Sequence, residues 1–301
     1  MTGEFAALAT ALCWAVAARL FKQLGGDFSP LLLNFYKGLL AIFGFTLILS
    51  VQAGDWQLSA QALSWLLISG VIGIGIGDTL FFLALKRMSD SQTMLITETS
   101  APIFTALFAM FWLSEWLTWQ QWLGGAGVIV AVRQIISAQA VKPDVKGLHS
   151  KSSGIADASK AWLLAAGAAV CQALGAVVSR DVLVQNEIGV ATAALMRLLG
   201  GVVFVALLLL WRGSTWRPKN TTNNFRLWIA LVVASVIGTL LALYLQMLAF
   251  AHTSAAIVQT LFTSSVLLSL GIAWCLGERV PKNIVLWSLL ALFSVSMLVV
   301  M

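Results

Sequence analysis

Residues 61–85, QALSWLLISGVIGIGIGDTLFFLAL, decide the fold class. About 20 consecutive apolar residues are needed for a helix to cross the ~30 Å hydrocarbon layer of a bilayer. This run exceeds that length with a single charge, Asp78, and ends at once on Lys86 and Arg87. Nearly all of the remaining chain divides in the same way. Apolar runs fall near Phe5 to Phe21, Pro30 to Val51, Gln61 to Leu85, Ser91 to Leu113 and Trp119 to Ala138. A second set lies near Ala161 to Ser179, Gly189 to Trp211, Leu227 to Phe250, Ser254 to Cys275 and Asn283 to Met301. The prediction is an all-α polytopic membrane protein with ten transmembrane helices, numbered here as spans 1 to 10. Composition agrees: 60% of the 301 residues are hydrophobic, 10% are charged and mean hydropathy is +0.93, whereas soluble domains carry roughly 25% charged residues.

The one long polar stretch, 139–160, has linker composition, with Pro143 and Ser152-Ser153-Gly154 among lysines. It separates a first five-helix unit (1–138) from a second (161–301). Basic residues set the expected orientation. Fifteen of the 18 Lys and Arg residues lie in or beside the breaks after spans 1, 3, 5, 7 and 9, and the opposite side has only Arg180. That bias puts the linker in the cytoplasm and both termini outside it, in a cell inner membrane. No basic n-region precedes the first apolar run, so span 1 is expected to be permanent rather than a cleaved signal. Tryptophans 112, 116, 119 and 122, and 211, 216 and 228, read as interfacial anchors.

The net charge of +6 does not form the basic, aromatic-interleaved patch that nucleic acid requires, so no nucleic-acid partner is expected. Cys13, Cys171 and Cys275 lie singly in apolar runs without a companion His at ligand spacing, which argues against a disulfide framework or a metal site. No cofactor is expected, and no HExxH or nucleotide-binding motif is present.

An odd number of spans per unit makes the second unit enter from the other side, giving an inverted-topology pair. Matching features recur in the same order. Cys13-Trp14-Ala15 with Lys22 matches Cys171-Gln172-Ala173 with Arg180, Lys37 matches Arg197, and Leu113-Ser114-Glu115 matches Leu276-Gly277-Glu278. These features, with Ala101-Pro102 in span 4 and the segment Gly77 to Leu85 followed by Ser91, resemble the EamA-type branch of the drug/metabolite transporter superfamily over the whole chain. The resemblance implies a secondary transporter for a small metabolite, amino-acid-like or otherwise polar or amphipathic, moved outward by alternating access. A lipid-linked sugar flippase is the alternative within the superfamily.

Four ionisable residues lie well inside spans: Lys37, Asp78, Glu98 and Arg197. A charge at a helix centre costs about 2.5 to 3.5 kcal/mol on insertion scales, so each should face a partner or a wet cavity. Lys37, Asp78 and Glu98 are about 10 Å in from the cytoplasmic ends of their spans, and Arg197 is about 12 Å in from the other face. The expectation is a midplane cavity. There Lys37 or Arg197 meets an anionic group of the solute, and Asp78 or Glu98 meets an ammonium or a coupling proton. Trp14, Tyr36, Gln246 and Gln259 are further candidates. The competing reading is structural ion pairing, such as Lys37 with Asp78, and close packing through Gly73, Gly75 and Gly77. Glu98 draws attention because Pro102, four residues on, frees a backbone carbonyl beside it. Gly75-Ile76-Gly77-Asp78 also fits the GxGD pattern of intramembrane aspartyl proteases, whose chemistry needs two carboxyls sharing a proton. Only Glu98 is placed to be the second.

Overall fold

A computed structural model describes residues 2–51, 58–112, 118–120, 122–124, 126–127, 130–131, 134, 155–186, 188–218, 225–277 and 281–299. Among these the chain is all helix, and eight helices are long and apolar enough to cross a membrane. They are span 1 (Thr2–Leu24), span 2 (Pro30–Val51), span 3 (Ala60–Leu85), span 4 (Asp90–Trp112), span 6 (Ile155–Gln185), span 7 (Val190–Trp211), span 8 (Phe225–His252) and span 9 (Ala255–Cys275). A further apolar helix, Lys282–Val299, occupies the place expected for span 10. Most of the expected span 5, and residues 139–154 of the expected linker, lie outside the described residues.

The helix of span 6 starts ahead of its apolar run. Helix begins at Ile155, so residues 155–160 already belong to span 6. Ala156, Ala158 and Lys160 are strong helix formers, and an acidic residue, Asp157, favours a first turn. A polar segment extends a helix beyond the apolar layer at no desolvation cost, and hydropathy marks only the apolar part.

Spans 3 and 8 share an interruption that hydropathy does not reveal. In each, an 11-residue α-helix (Ala60–Gly70 and Phe225–Ser235) passes into a π-helical segment (Val71–Gly77 and Val236–Leu241) before α-helix resumes. The same interval separates Ala60 from Phe225, Gly73 from Gly238 and Leu85 from Phe250. Span 9 is broken as well, into Ala255–Phe262 and Ser264–Cys275 around Thr263, and ends on Gly277 at φ 81°. Glycine reaches that left-handed conformation without a Cβ clash.

Contacts between the halves come in matched pairs. Span 1 lies against span 8 and span 6 against span 3; span 4 lies against span 6 and span 9 against span 1; span 2 lies against span 7. Close approach requires small residues here. A Cβ on Gly70 would run into the Arg197 carbonyl, and one on Gly200 into the Leu67 carbonyl, so spans 3 and 7 cross backbone to backbone. Gly75 and Gly77 likewise abut Phe204 and Cys171. Ser69 donates to the Gly175 carbonyl at 3.1 Å and meets Ser179 at 2.8 Å, linking spans 3 and 6 by buried hydroxyls.

Candidate functional site

The two π-helical segments face one cavity of about 120 Å³, walled by spans 1, 2, 3, 4, 6, 7 and 8. Gly73, Ile74 and Gly77 line it from one segment, Gly238 and Thr239 from the other. Such segments concentrate at functional sites because an inserted residue leaves carbonyls without their usual partners. Asn34, 1% exposed on span 2, meets that need in span 3. Its Nδ2 donates to the Ile74 carbonyl at 2.8 Å, the Gly75 carbonyl at 3.3 Å and Thr79 Oγ1 at 3.0 Å.

One turn along span 2 from Asn34, Lys37 Nζ donates to Asp78 Oδ2 at 2.6 Å. The side chains differ in exposure, 4% for Lys37 and 36% for Asp78, so the carboxylate keeps an open side while the ammonium is enclosed. The Phe82 ring lies 5.6 Å from Nζ. Span 2 therefore grips span 3 by two prongs, an amide on the π-segment and a cation on the first residue after it.

Arg197 lines the same cavity and is engaged differently. It is 3% exposed, and among the described residues its Nη1 meets the Met247 sulfur at 3.5 Å and its Nε has no hydrogen-bond partner. Gly73 and Gly175 flank the guanidinium so closely that a Cβ on either would sit 3.1 Å from Nη2. Glu98, also 3% exposed, accepts from Gln172 Nε2 at 3.4 Å, and Gln172 in turn donates to Gln259 Oε1 at 3.3 Å. The Thr263 hydroxyl donates to the backbone carbonyl of Glu98 at 3.1 Å.

Six of the eight residues expected from sequence lie on the cavity wall: Lys37, Asp78, Glu98, Arg197, Trp14 and Gln246. Tyr36 lies elsewhere. Successive helix positions are about 100° apart, and with Lys37 turned inward Tyr36 meets Phe28, Phe35 and Trp228, its hydroxyl donating to the Trp216 carbonyl at 3.0 Å. Gln259 is fully buried one side chain behind the wall, joined to it through Gln172. Asp78 bonds Lys37 and Glu98 bonds Gln172, and neither carboxyl bonds the other as a proteolytic pair would.

The sequence matches the model of the EamA-like transporter family twice, over residues 1–137 and 159–300. The chain belongs to the EamA-like transporter family. The two matches make it a repeat of two EamA units in a multi-pass membrane protein. One solved crystal structure is similar to this EamA-like transporter over 98% of the chain and 95% of its own, with a TM-score of 0.68 at 16% identity, which is a likeness of fold. No curated protein matches.

Sequence reasoning missed the aromatic wall of this EamA-like protein, Phe21, Phe81 and Phe82, because phenylalanine in an apolar span carries no distinguishing signal. Gln172 was legible, as a polar side chain at the place where span 1 has Trp14. Thr97, which donates to the Ala165 carbonyl of span 6 at 3.4 Å, and Thr239 were not, since a lone threonine in an apolar span carries no distinguishing signal.

Proposed function

We infer that this protein is a secondary transporter that exports a small, amino-acid-like or similarly polar or amphipathic metabolite across the inner membrane. The two halves alternate access to the cavity walled by spans 1, 2, 3, 4, 6, 7 and 8. A single observation carries this reading. Lys37 is neutralised by Asp78, whereas Arg197, buried against the same cavity, has an Nε with no hydrogen bond. Asp78 is the carboxylate that acts on both Lys37 and Arg197, so two enclosed cations draw on one counter-charge, and a carboxylate entering from solution would supply a second. Glu98 and the open side of Asp78 then stand ready for an ammonium or for a coupling proton. The size is consistent. At about 10 to 15 Å³ per water on this measure, 120 Å³ holds a small solute in place of roughly ten waters.

The reading includes ten spans in two inverted five-helix repeats, with span 5 between Trp119 and Ala138 and both termini outside the cytoplasm. The distribution of basic residues and the paired contacts between halves support it. The test is flux in proteoliposomes with a panel of labelled amino acids and related metabolites, with and without a pH gradient. Wild type is expected to move a subset of zwitterions, Arg197→Gln to lose about tenfold or more of that flux, and Glu98→Gln or Asp78→Asn to lose its pH dependence. Unchanged flux in all three variants would refute the roles assigned.

A further inference from the structure

Near the ends of spans 1 and 6, Lys22 and Arg180 are each bound to the far end of a neighbouring interrupted span. Lys22 Nζ donates to the carbonyls of Leu85, the last residue of span 3, and Met88, in the turn that follows it. Arg180 Nη1 donates to the carbonyl of Phe250, at the end of span 8. The acceptors belong to the last turns, where helix carbonyls lack intrahelical partners. The two arrangements correspond residue by residue. Lys22 stands to Arg180 as Cys13 stands to Cys171, and Leu85 stands to Phe250 as Gly73 stands to Gly238.

Each cation sits over an aromatic closure. Beneath Lys22, Phe21 meets Phe82 edge-on at 5.2 Å, both rings lining the cavity. Beside Arg180, Phe250 meets Phe262 at 6.2 Å, and Phe262 meets the cavity residue Trp14 at 4.9 Å. The ion pair between Arg19 and Asp90, 3.7 Å, adds a second tie at the Lys22 end. We propose that Lys22 and Arg180 are the two gate latches of this protein, one closing the cavity at each membrane face. Opening a face requires span 1 to part from span 3, or span 6 from span 8, and so breaks the bonds of that face alone. Both latches are made in this structure.

This inference rests on alternating access, and its test does not need the solute. A cavity reporter, Ala18→Cys with the three native cysteines replaced by alanine, is labelled with a membrane-impermeant thiol reagent in vesicles of each orientation. Lys22→Gln is expected to raise the labelling rate from the face that carries the basic loops by about tenfold, the order of a lost charged hydrogen bond, and to lower it from the other. Arg180→Gln is expected to do the reverse, while Lys22→Arg and Arg180→Lys, which keep a cationic donor, stay near the starting rates. Equal effects at both faces, or none, would overturn the latches, and melting temperatures of the purified variants separate gating from misfolding. Flux measured in the same vesicles reports separately on the carrier reading: opposite labelling shifts without flux of any solute leave the latches standing and that reading refuted.

Discussion

Thr263 on span 9 donates its hydroxyl to the backbone carbonyl of Glu98 on span 4, 3.1 Å away. Glu98 lies four residues before Pro102, which has no N–H to offer, so this carbonyl has lost its intrahelical partner. The break in span 9 supplies the replacement and ties the second half of the protein to the turn that presents the Glu98 carboxyl. Thr263→Val should cost about 1 kcal/mol, since hydrogen bonds between membrane helices are modest, and Thr263→Ser should cost less. In a Pro102→Ala background, where residue 102 regains its N–H, the cost of Thr263→Val should shrink. Unfolding in denaturant, run as a double-mutant cycle, measures the difference.

The unequal exposure of Lys37 and Asp78 gives an unequal penalty for breaking their bond. Asp78→Asn leaves an enclosed ammonium without its counter-charge and should destabilise by about 3 to 5 kcal/mol. Lys37→Gln leaves a carboxylate with an open side, and should cost about half as much or less. Lys37→Met combined with Asp78→Leu should recover most of the stability without recovering transport. Equal losses in the two single variants would contradict the geometry.

Asn34 holds the π-segment of span 3 through the Ile74 and Gly75 carbonyls. Asn34→Leu removes the donor at a buried position and should cost about 1 to 3 kcal/mol. It should also speed hydrogen exchange at the Asp78 amide, which bonds the Gly73 carbonyl across the π-turn. Asn34→Asp, similar in size but lacking the N–H donors, should behave like Asn34→Leu and not like wild type.

Gly73 and Gly175 leave just enough room for the Arg197 guanidinium. Adding a methyl group to either should push Nη2 by a few tenths of an ångström, within what a long side chain absorbs. Gly73→Ala and Gly175→Ala are therefore expected to fold, and to weaken apparent affinity in flux assays several-fold while changing the maximal rate less. A change confined to the maximal rate would place Arg197 in gating and not in solute contact.

Much of this was written in the linear chain. Residue composition alone forces a lipid-embedded helical protein, because backbone polar groups in hydrocarbon must bond within their own segment. The recurrence of Cys13 with Lys22 as Cys171 with Arg180 marks the repeat, and four charges inside apolar runs point to a wet interior. What packing alone decided is which of those charges are engaged. Lys37 and Asp78 lie on different spans and meet where span 3 leaves the π-segment bonded by Asn34, while Arg197 is flanked by two glycines that come from spans 3 and 6. Hydropathy registers the cost of placing a residue in the membrane and is blind to helical phase. The facing of Tyr36 away from the cavity, the π-segments and the break at Thr263 are all matters of phase, set by how neighbouring helices satisfy one another's backbone.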